Sequence, residues 1–436
     1  MKNEYEICKK RREQLQNVME DDSVAFFFSP PAALKSNDVH YPFRTDSDLY
    51  YLTGFPEEEV ILVLYKDKNI LYLRKRDPDM ETWNGKRLGI ENACETLGVN
   101  EARDTESFKK DLPELLKNKK IIYHHYGRNS KIDSLLLETN ANLIRRSRMS
   151  EFGPDKIIHL SGVINEMRLL KDSQEINFMR ECARITHEAH VEAMKMVRPG
   201  LYEYELEAKI LHIFKKYGGD FAYPSIVAAG NNACILHYVE NNSMIKSDDL
   251  ILIDAGAEKD YLNADVTRTF PASGRFNPAQ KNLYEIVLAS QKTAISLMTR
   301  NNTLDQVHNE TVKILTEGLI DLGILKGSLD ENLENQTYKK FYMHKTGHWL
   351  GRDVHDVGRY YDGSNSRPLK DGMVATVEPG LYIDENTQDI PLEFCGIGIR
   401  IEDDVLVNGT SPDVITDSIP KEIAEIESLI LEFSKS

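Results

Sequence analysis

Leu250-Ile-Leu-Ile-Asp254-Ala-Gly-Ala-Glu-Lys-Asp260-Tyr-Leu-Asn-Ala-Asp265-Val-Thr-Arg-Thr-Phe270 decides how this chain is read. Asp254 ends an apolar run of strand length, and Asp265 lies in the next strand-like segment eleven residues on. A hairpin here brings the two carboxylates together, where two anions repel unless a proton or a cation lies between them. The competing structural reading makes one a turn residue closing its strand and pairs the other with Arg268.

The C-terminal part repeats the arrangement. Glu378 sits in Met373-Val-Ala-Thr-Val-Glu-Pro-Gly-Leu-Tyr, and Glu402 in Gly396-Ile-Gly-Ile-Arg-Ile-Glu-Asp-Asp-Val-Leu-Val. An ionised carboxylate buried without a partner costs several kcal/mol, so four such positions call for a shared counter-charge, and Arg400 balances at most one of them. Three of the twelve histidines, His344, His348 and His355, fall within twelve residues of the glycine-punctuated segment Phe341-Tyr-Met-His-Lys-Thr-Gly-His-Trp-Leu-Gly-Arg-Asp-Val-His-Asp-Val-Gly. Its order is not HExxH, so it is no zincin helix. Four carboxylates and an imidazole suit Mn²⁺, Mg²⁺ or Co²⁺ better than a tetrahedral structural Zn²⁺. Four negative charges balance two divalent ions, and such a pair shares and acidifies a bridging water.

Outward from this core the pattern is mixed. In the first 160 residues, strand-like runs at 24–28, 60–65, 70–73 and 120–123 alternate with helical stretches at 6–19, 90–97 and 108–116, an α/β pattern. Periodicity is lost over 150–160. A strong helix then starts near Asp172, with Glu175 three residues on, and stops at Arg198-Pro-Gly. A second helix spans 203–217, strand-like segments cover 221–238 and 250–270, two helices cover 278–298 and 304–322, and strand-like segments run on to Leu406. The domain expectation is 1–165 and 166–436, in an α/β (α+β) chain. The two helix-helix-strand blocks of the second domain show no convincing sequence repeat.

Length and composition close off other classes. The 436 residues, 41% hydrophobic and 28% charged, are ordinary globular material for roughly two or three domains. Five scattered cysteines without CxxC spacing read as reduced thiols, and a net charge of -16 repels nucleic acid and anionic membrane surfaces. Neither a signal-peptide core nor a run of 18 apolar residues is present, so the expected location is cytoplasmic, away from membranes. Glycine-rich phosphate loops are absent, and no cofactor-binding residues are expected beyond the metal ligands.

The motifs resemble those of the proline-specific pita-bread metallopeptidases, most closely the bacterial Xaa-Pro aminopeptidases, or aminopeptidase P. The resemblance runs through Asp254-Ala-Gly with Asp265, His348-Trp-Leu-Gly with His355-Asp-Val-Gly, Thr376-Val-Glu-Pro-Gly-Leu-Tyr and Gly396-Ile-Gly-Ile-Arg-Ile-Glu-Asp-Asp. It implies a smaller N-terminal α/β domain followed by a C-terminal pita-bread catalytic domain. It also implies a dinuclear manganese centre held by Asp254, Asp265, His348, Glu378 and Glu402, with Asp265 and Glu402 bridging. His237, in Cys234-Ile-Leu-His-Tyr-Val-Glu-Asn, joins His344 and His355 around the substrate. A metal-bridging hydroxide would attack the carbonyl before proline, Glu378 would carry the proton to the leaving nitrogen, and Arg400 would orient Glu378 or Glu402. The implied activity is release of the N-terminal residue from peptides with proline second, by a homodimer or homotetramer in which Arg44 helps shape the pocket entrance and Trp83 either reaches a neighbouring subunit's pocket or is a stacked surface tryptophan. A prolidase acting on Xaa-Pro dipeptides shares all this chemistry. A non-catalytic binding relative typically loses metal ligands, all five of which are present here, and a metal-free creatinase-like hydrolase would leave the four carboxylates unexplained. Lys345 and Arg352 depart from the small or apolar residues expected beside these histidines.

Overall fold

The computed structural model describes residues 2–146 and 151–433, so position 150, where the loss of periodicity begins, lies outside it. Two compact units emerge, Met1–Met167 and Arg168–Ser436.

The first unit is built on a six-stranded mixed sheet in the order Glu101–Asp104, Asn69–Leu73, Ile61–Tyr65, Ser23–Phe28, Ile121–His124, Lys156–His159. Ser23–Phe28 pairs antiparallel with Ile61–Tyr65 and parallel with Ile121–His124. Its side chains alternate between two cores. Ala25 and Phe27 pack with Leu15 and Leu97 on one face, and Val24 and Phe26 with Phe108, Leu112 and Leu136 on the other. A central strand apolar from Val24 to Phe28 is what a sheet covered on both faces requires. The helices Pro78–Asn84 and Ser130–Arg145 escaped the sequence reading, although Asp77 and Asn129 cap them through their side chains.

In the second unit, Ser173–Met196 begins on a capping box, with Asp172 accepting from the amides of Gln174 and Glu175. It packs against Glu203–Lys216, and Pro278–Ser296 packs against Leu304–Asp321. Two antiparallel groups of strands lie with these helices. Leu250–Asp254 sits between Ile226–Ala229 and Thr267–Pro271, and Val374–Val377 pairs with Asp403–Leu406 while Gly380–Ile383 pairs with Ile397–Arg400. The groups meet where the Glu402 amide donates to Thr267 O (3.0 Å) and the Thr269 hydroxyl donates to Arg400 O (2.9 Å). Ile251, Ile253, Phe270, Ile399 and Ile401 share one core with Leu283 and Leu315. Strand-helix blocks joined in this way give a mixed α/β unit.

Two expectations needed correction. The segment 221–238 is not continuous strand: after Ile226–Ala229 the chain turns through a 3₁₀ segment, Gly230–Cys234, into a loop. Gly230 has φ +56°, and a β-carbon there would meet Asp249 Oδ1 at 2.7 Å. Between 323 and 372 the chain forms the short helix Leu329–Glu334, a 3₁₀ segment Thr337–Lys340 and the two-residue strands Tyr361–Asp362 and Asn365–Ser366, with the histidine segment taking its hydrogen bonds irregularly from its neighbours. Among the described residues no helix is long and apolar enough to cross a membrane, and all five cysteines are free.

His190, on the long helix Ser173–Met196, is fully buried and donates through Nε2 to Ala255 O at 3.0 Å. Burial lowers its pKa to about 4. The unfolded chain therefore binds a proton near pH 6.5 that the folded chain refuses, so stability falls as pH drops from there towards 4, by roughly 3 kcal/mol over the window. Denaturant midpoints at pH 7 and 4.5 should show the drop, and His190→Gln, which keeps a donor without a titrating group, should lose most of it.

Candidate metal centre

Asp254 and Asp265 come together because Leu250–Asp254 and Thr267–Pro271 pair with Asp254 opposite Thr267. The turn between them is tight: a β-carbon at Gly256 would lie 1.8 Å from Ala264 O. Glu378 follows the strand Val374–Val377, and Glu402 occupies the step between Ile397–Arg400 and Asp403–Leu406. His348 arrives on an irregular segment that runs alongside Val374–Val377. The Thr376 amide donates to His348 O (2.9 Å) and the Glu378 amide to Thr346 O (2.8 Å). Gly347 permits this approach, since a β-carbon there would meet Thr376 O at 1.9 Å.

All five side chains line one cleft of about 450 Å³. Ligand atoms of Asp265, His348 and Glu402 lie within 4.8 Å of one another, and His348 Nε2 is 3.7 Å from Glu378 Oε1. His348 donates through Nδ1 to Trp349 O at 3.0 Å, which turns Nε2 towards Asp265 Oδ2, 3.3 Å away. Holding one ring nitrogen on a carbonyl is how a protein aims the other at a metal.

The electrostatics demand cations. Burial pushes Glu378 up to about 7, and burial with the neighbouring carboxylates pushes Glu402 well above the usual carboxylate range. Asp254 rises through burial against the pull of Arg400. Burial alone would lower His348, but its hydrogen bond to Asp265 and the charges of Asp265 and Glu378 raise it to about 9. A site that gathers protons onto both its acids and its base carries excess negative charge. Oxygen-rich and imidazole-tipped, it fits hard or borderline divalent cations.

Several contacts were not legible beforehand. The Tyr223 hydroxyl lies 2.6 Å from both Asp254 Oδ1 and Asp265 Oδ1, bracing the pair with its single hydrogen. Arg400 binds Asp254 Oδ2 (2.7 Å), not Glu378 or Glu402, and reaches Glu402 only through Thr267, whose hydroxyl accepts from Arg400 Nε and donates to Glu402 Oε2 (2.6 Å). Arg400 also donates to the Tyr382 hydroxyl, which donates to His344 Nε2 (2.9 Å). His344 Nδ1 donates to Lys345 O (2.8 Å), so both of its ring nitrogens are engaged and burial holds it near pKa 4. His355 packs edge-on against His348, ring centroids 4.4 Å apart. Arg268 pairs with Asp403 (2.7 Å), both fully buried, rather than with Asp265. Arg352 turns away to Glu175 (3.0 Å).

His237 lines the cleft from the loop after Ile226–Ala229. Glu203, fully buried, secures that loop by accepting from the Ala229 and Ser243 amides, the Asn232 side chain and the Tyr238 hydroxyl at 2.7–2.9 Å. Glu203→Ala strands these donors and should cost about 4 kcal/mol in urea-melt stability, with Glu203→Gln costing about half.

Metallopeptidase family M24 matches residues 177–409, and the aminopeptidase P N-terminal domain matches 8–123. The Xaa-Pro aminopeptidase of Haemophilus influenzae is 44% identical over 98% of this chain and 97% of its own length. The chain belongs to the Xaa-Pro aminopeptidase family. It is a metallopeptidase of the pita-bread fold. The structure of the Pseudomonas aeruginosa aminopeptidase PepP superposes with a TM-score of 0.97 at 41% identity, covering 100% of this chain and 99% of that one. Aminopeptidase P from E. coli with the inhibitor Pro-Leu superposes at 0.96 and 40% identity, covering 99% of each chain.

In the N-terminal unit, Trp83 stands 83% exposed on the helix Pro78–Asn84, and Arg44 donates to the Ser47 hydroxyl at 3.0 Å.

Proposed function

We propose that this chain releases the N-terminal residue from peptides whose second residue is proline, at a dinuclear centre held by Asp254, Asp265, His348, Glu378 and Glu402. The observation that carries the reading is the convergence of four carboxylates and the aimed Nε2 of His348 in one cleft walled by His237, His344 and His355. When bound, two divalent ions, Mn²⁺ by the character of the donors, acidify water and polarise the scissile carbonyl.

The chain's own groups do the rest. Asp254 is set by Tyr223 and Arg400, and Glu402 by Thr267, so the ligands enter the reaction already oriented. A nitrogen leaving as part of proline must gain a proton, and Glu378, at the floor of the cleft, takes one from water and passes it on. His237 and His355 have no hydrogen-bond partner among the described residues and face the carbonyl oxygen as donors. His344, held by Lys345 O and Tyr382, keeps its shape as a neutral wall. The free cysteines fit a cytoplasmic enzyme, and exposed Trp83 fits a homodimer or homotetramer that would cover it.

Incubation with Mn²⁺ and either Arg-Pro-Pro or Ala-Pro tests the substrate. Release of arginine from the tripeptide is the expected result, and cleavage of the dipeptide alone would make the chain a prolidase.

A further inference from the structure

Beside the metal cleft lies a second cavity of about 590 Å³, lined by Leu304, Val307, His308, Tyr360 and Tyr361 among others. The segment 345–348 divides the two, for Lys345, Gly347 and His348 line both. Lys345 forms their common rim, its side chain 67% exposed.

The first cleft contains two permanent cations, Lys345 and Arg400. Arg400 is committed to Asp254, Thr267 and Tyr382. Lys345 makes no side-chain hydrogen bond among the described residues. Its nearest carboxylate oxygen, on Asp305, is 3.7 Å away and already accepts from the Tyr361 hydroxyl (2.9 Å). His308 adds no charge, because burial, helped by the charge of Lys345, lowers it to about 4. Arg359 lines only the second cavity. An anion lying along the cleft therefore meets one cation held only by a long 3.7 Å ion pair to Asp305, at the lip where the second cavity opens.

We propose that Lys345 binds the C-terminal carboxylate of short peptide substrates, with the side chain of the residue after proline entering the second cavity between Leu304, Val307 and Tyr360. The assignment rests on the peptidase reading above. Every unmodified peptide ends in a carboxylate, and in a tripeptide that group lies one residue beyond the proline. An ammonium on a flexible stem tolerates the variable reach of such an end group, and the apolar walls of the second cavity suit a Leu or Phe side chain.

The test is kcat/KM for Ala-Pro-Phe as the free acid and as its C-terminal amide, with the Mn²⁺-loaded protein, its Lys345→Gln variant and its Lys345→Glu variant. The wild type should favour the acid about fivefold, chiefly through KM, with the preference shrinking as salt rises. Lys345→Gln should bring the ratio to about one, and Lys345→Glu should invert it. An acid-to-amide ratio unchanged in both variants would overturn the proposal while leaving the peptidase reading intact. Failure of the wild type to cleave either peptide would overturn both.

Discussion

Glu378→Gln is expected to lower kcat on a proline-second tripeptide about a thousandfold while the far-UV circular dichroism stays that of the wild type. The fold should hold because Glu378 is positioned by its backbone, with its amide on Thr346 O, and its side chain anchors nothing in the core. Glutamine fills the same volume and keeps an oxygen facing His348 Nε2, but it neither accepts a proton from water nor returns one. The leaving nitrogen belongs to a tertiary amide and departs badly as an anion, so loss of the proton carrier weighs on turnover more than on binding. A variant retaining a tenth or more of wild-type kcat would remove Glu378 from that role.

Stripping divalent ions with a chelator should abolish hydrolysis, at least a thousandfold, and lower the melting temperature by roughly 5–10 °C, with Mn²⁺ restoring both. The sign follows from the charge balance. Without ions, Asp254, Asp265, Glu378 and Glu402 share one cleft with a single committed guanidinium, and burial works against the ionisation of Asp254, Glu378 and Glu402. A ligand present at about a hundred times its dissociation constant adds some 2.7 kcal/mol to the folded state, which for a domain of this size is several degrees. A stripped protein with unchanged activity and melting temperature would mean that the carboxylates are satisfied by protons.

Much of the candidate site was legible because burying charge in apolar strands is costly enough to leave a mark on the sequence. Asp254 and Glu402 interrupt runs of Ile, Leu and Val, Asp265 and Glu378 lie in strand-like segments beside Val266 and Val377, and four such carboxylates call for a common counter-charge. His348 stood out by its glycine neighbours, and Gly347 proves necessary for the segment to lie against Thr376. The bracing groups left no such mark. Tyr223 and Tyr382 are aromatic residues among apolar ones, indistinguishable in sequence from core positions, and only the folded hairpin turns their hydroxyls to Asp254 and His344. Arg400 was expected on Glu378 or Glu402, the latter two residues away, and the competing reading paired Arg268 with an aspartate such as Asp265, three residues away. The partners found, Asp254 and Asp403, come instead from other strands, Leu250–Asp254 and Asp403–Leu406. The fold followed the same division. The long capped helices and apolar strands were readable from period and caps, whereas 221–238 was read as strand because nothing local announces that Glu203 gathers four donors into a loop.

Five side chains holding two ions is a stoichiometry that metal counting reads. Elemental analysis of the protein purified with Mn²⁺ and freed of excess should give two ions per chain, falling to one or fewer in Asp265→Ala with the far-UV circular dichroism unchanged. A wild-type chain that hydrolyses peptides at full rate with fewer than a tenth of an ion bound would contradict the account.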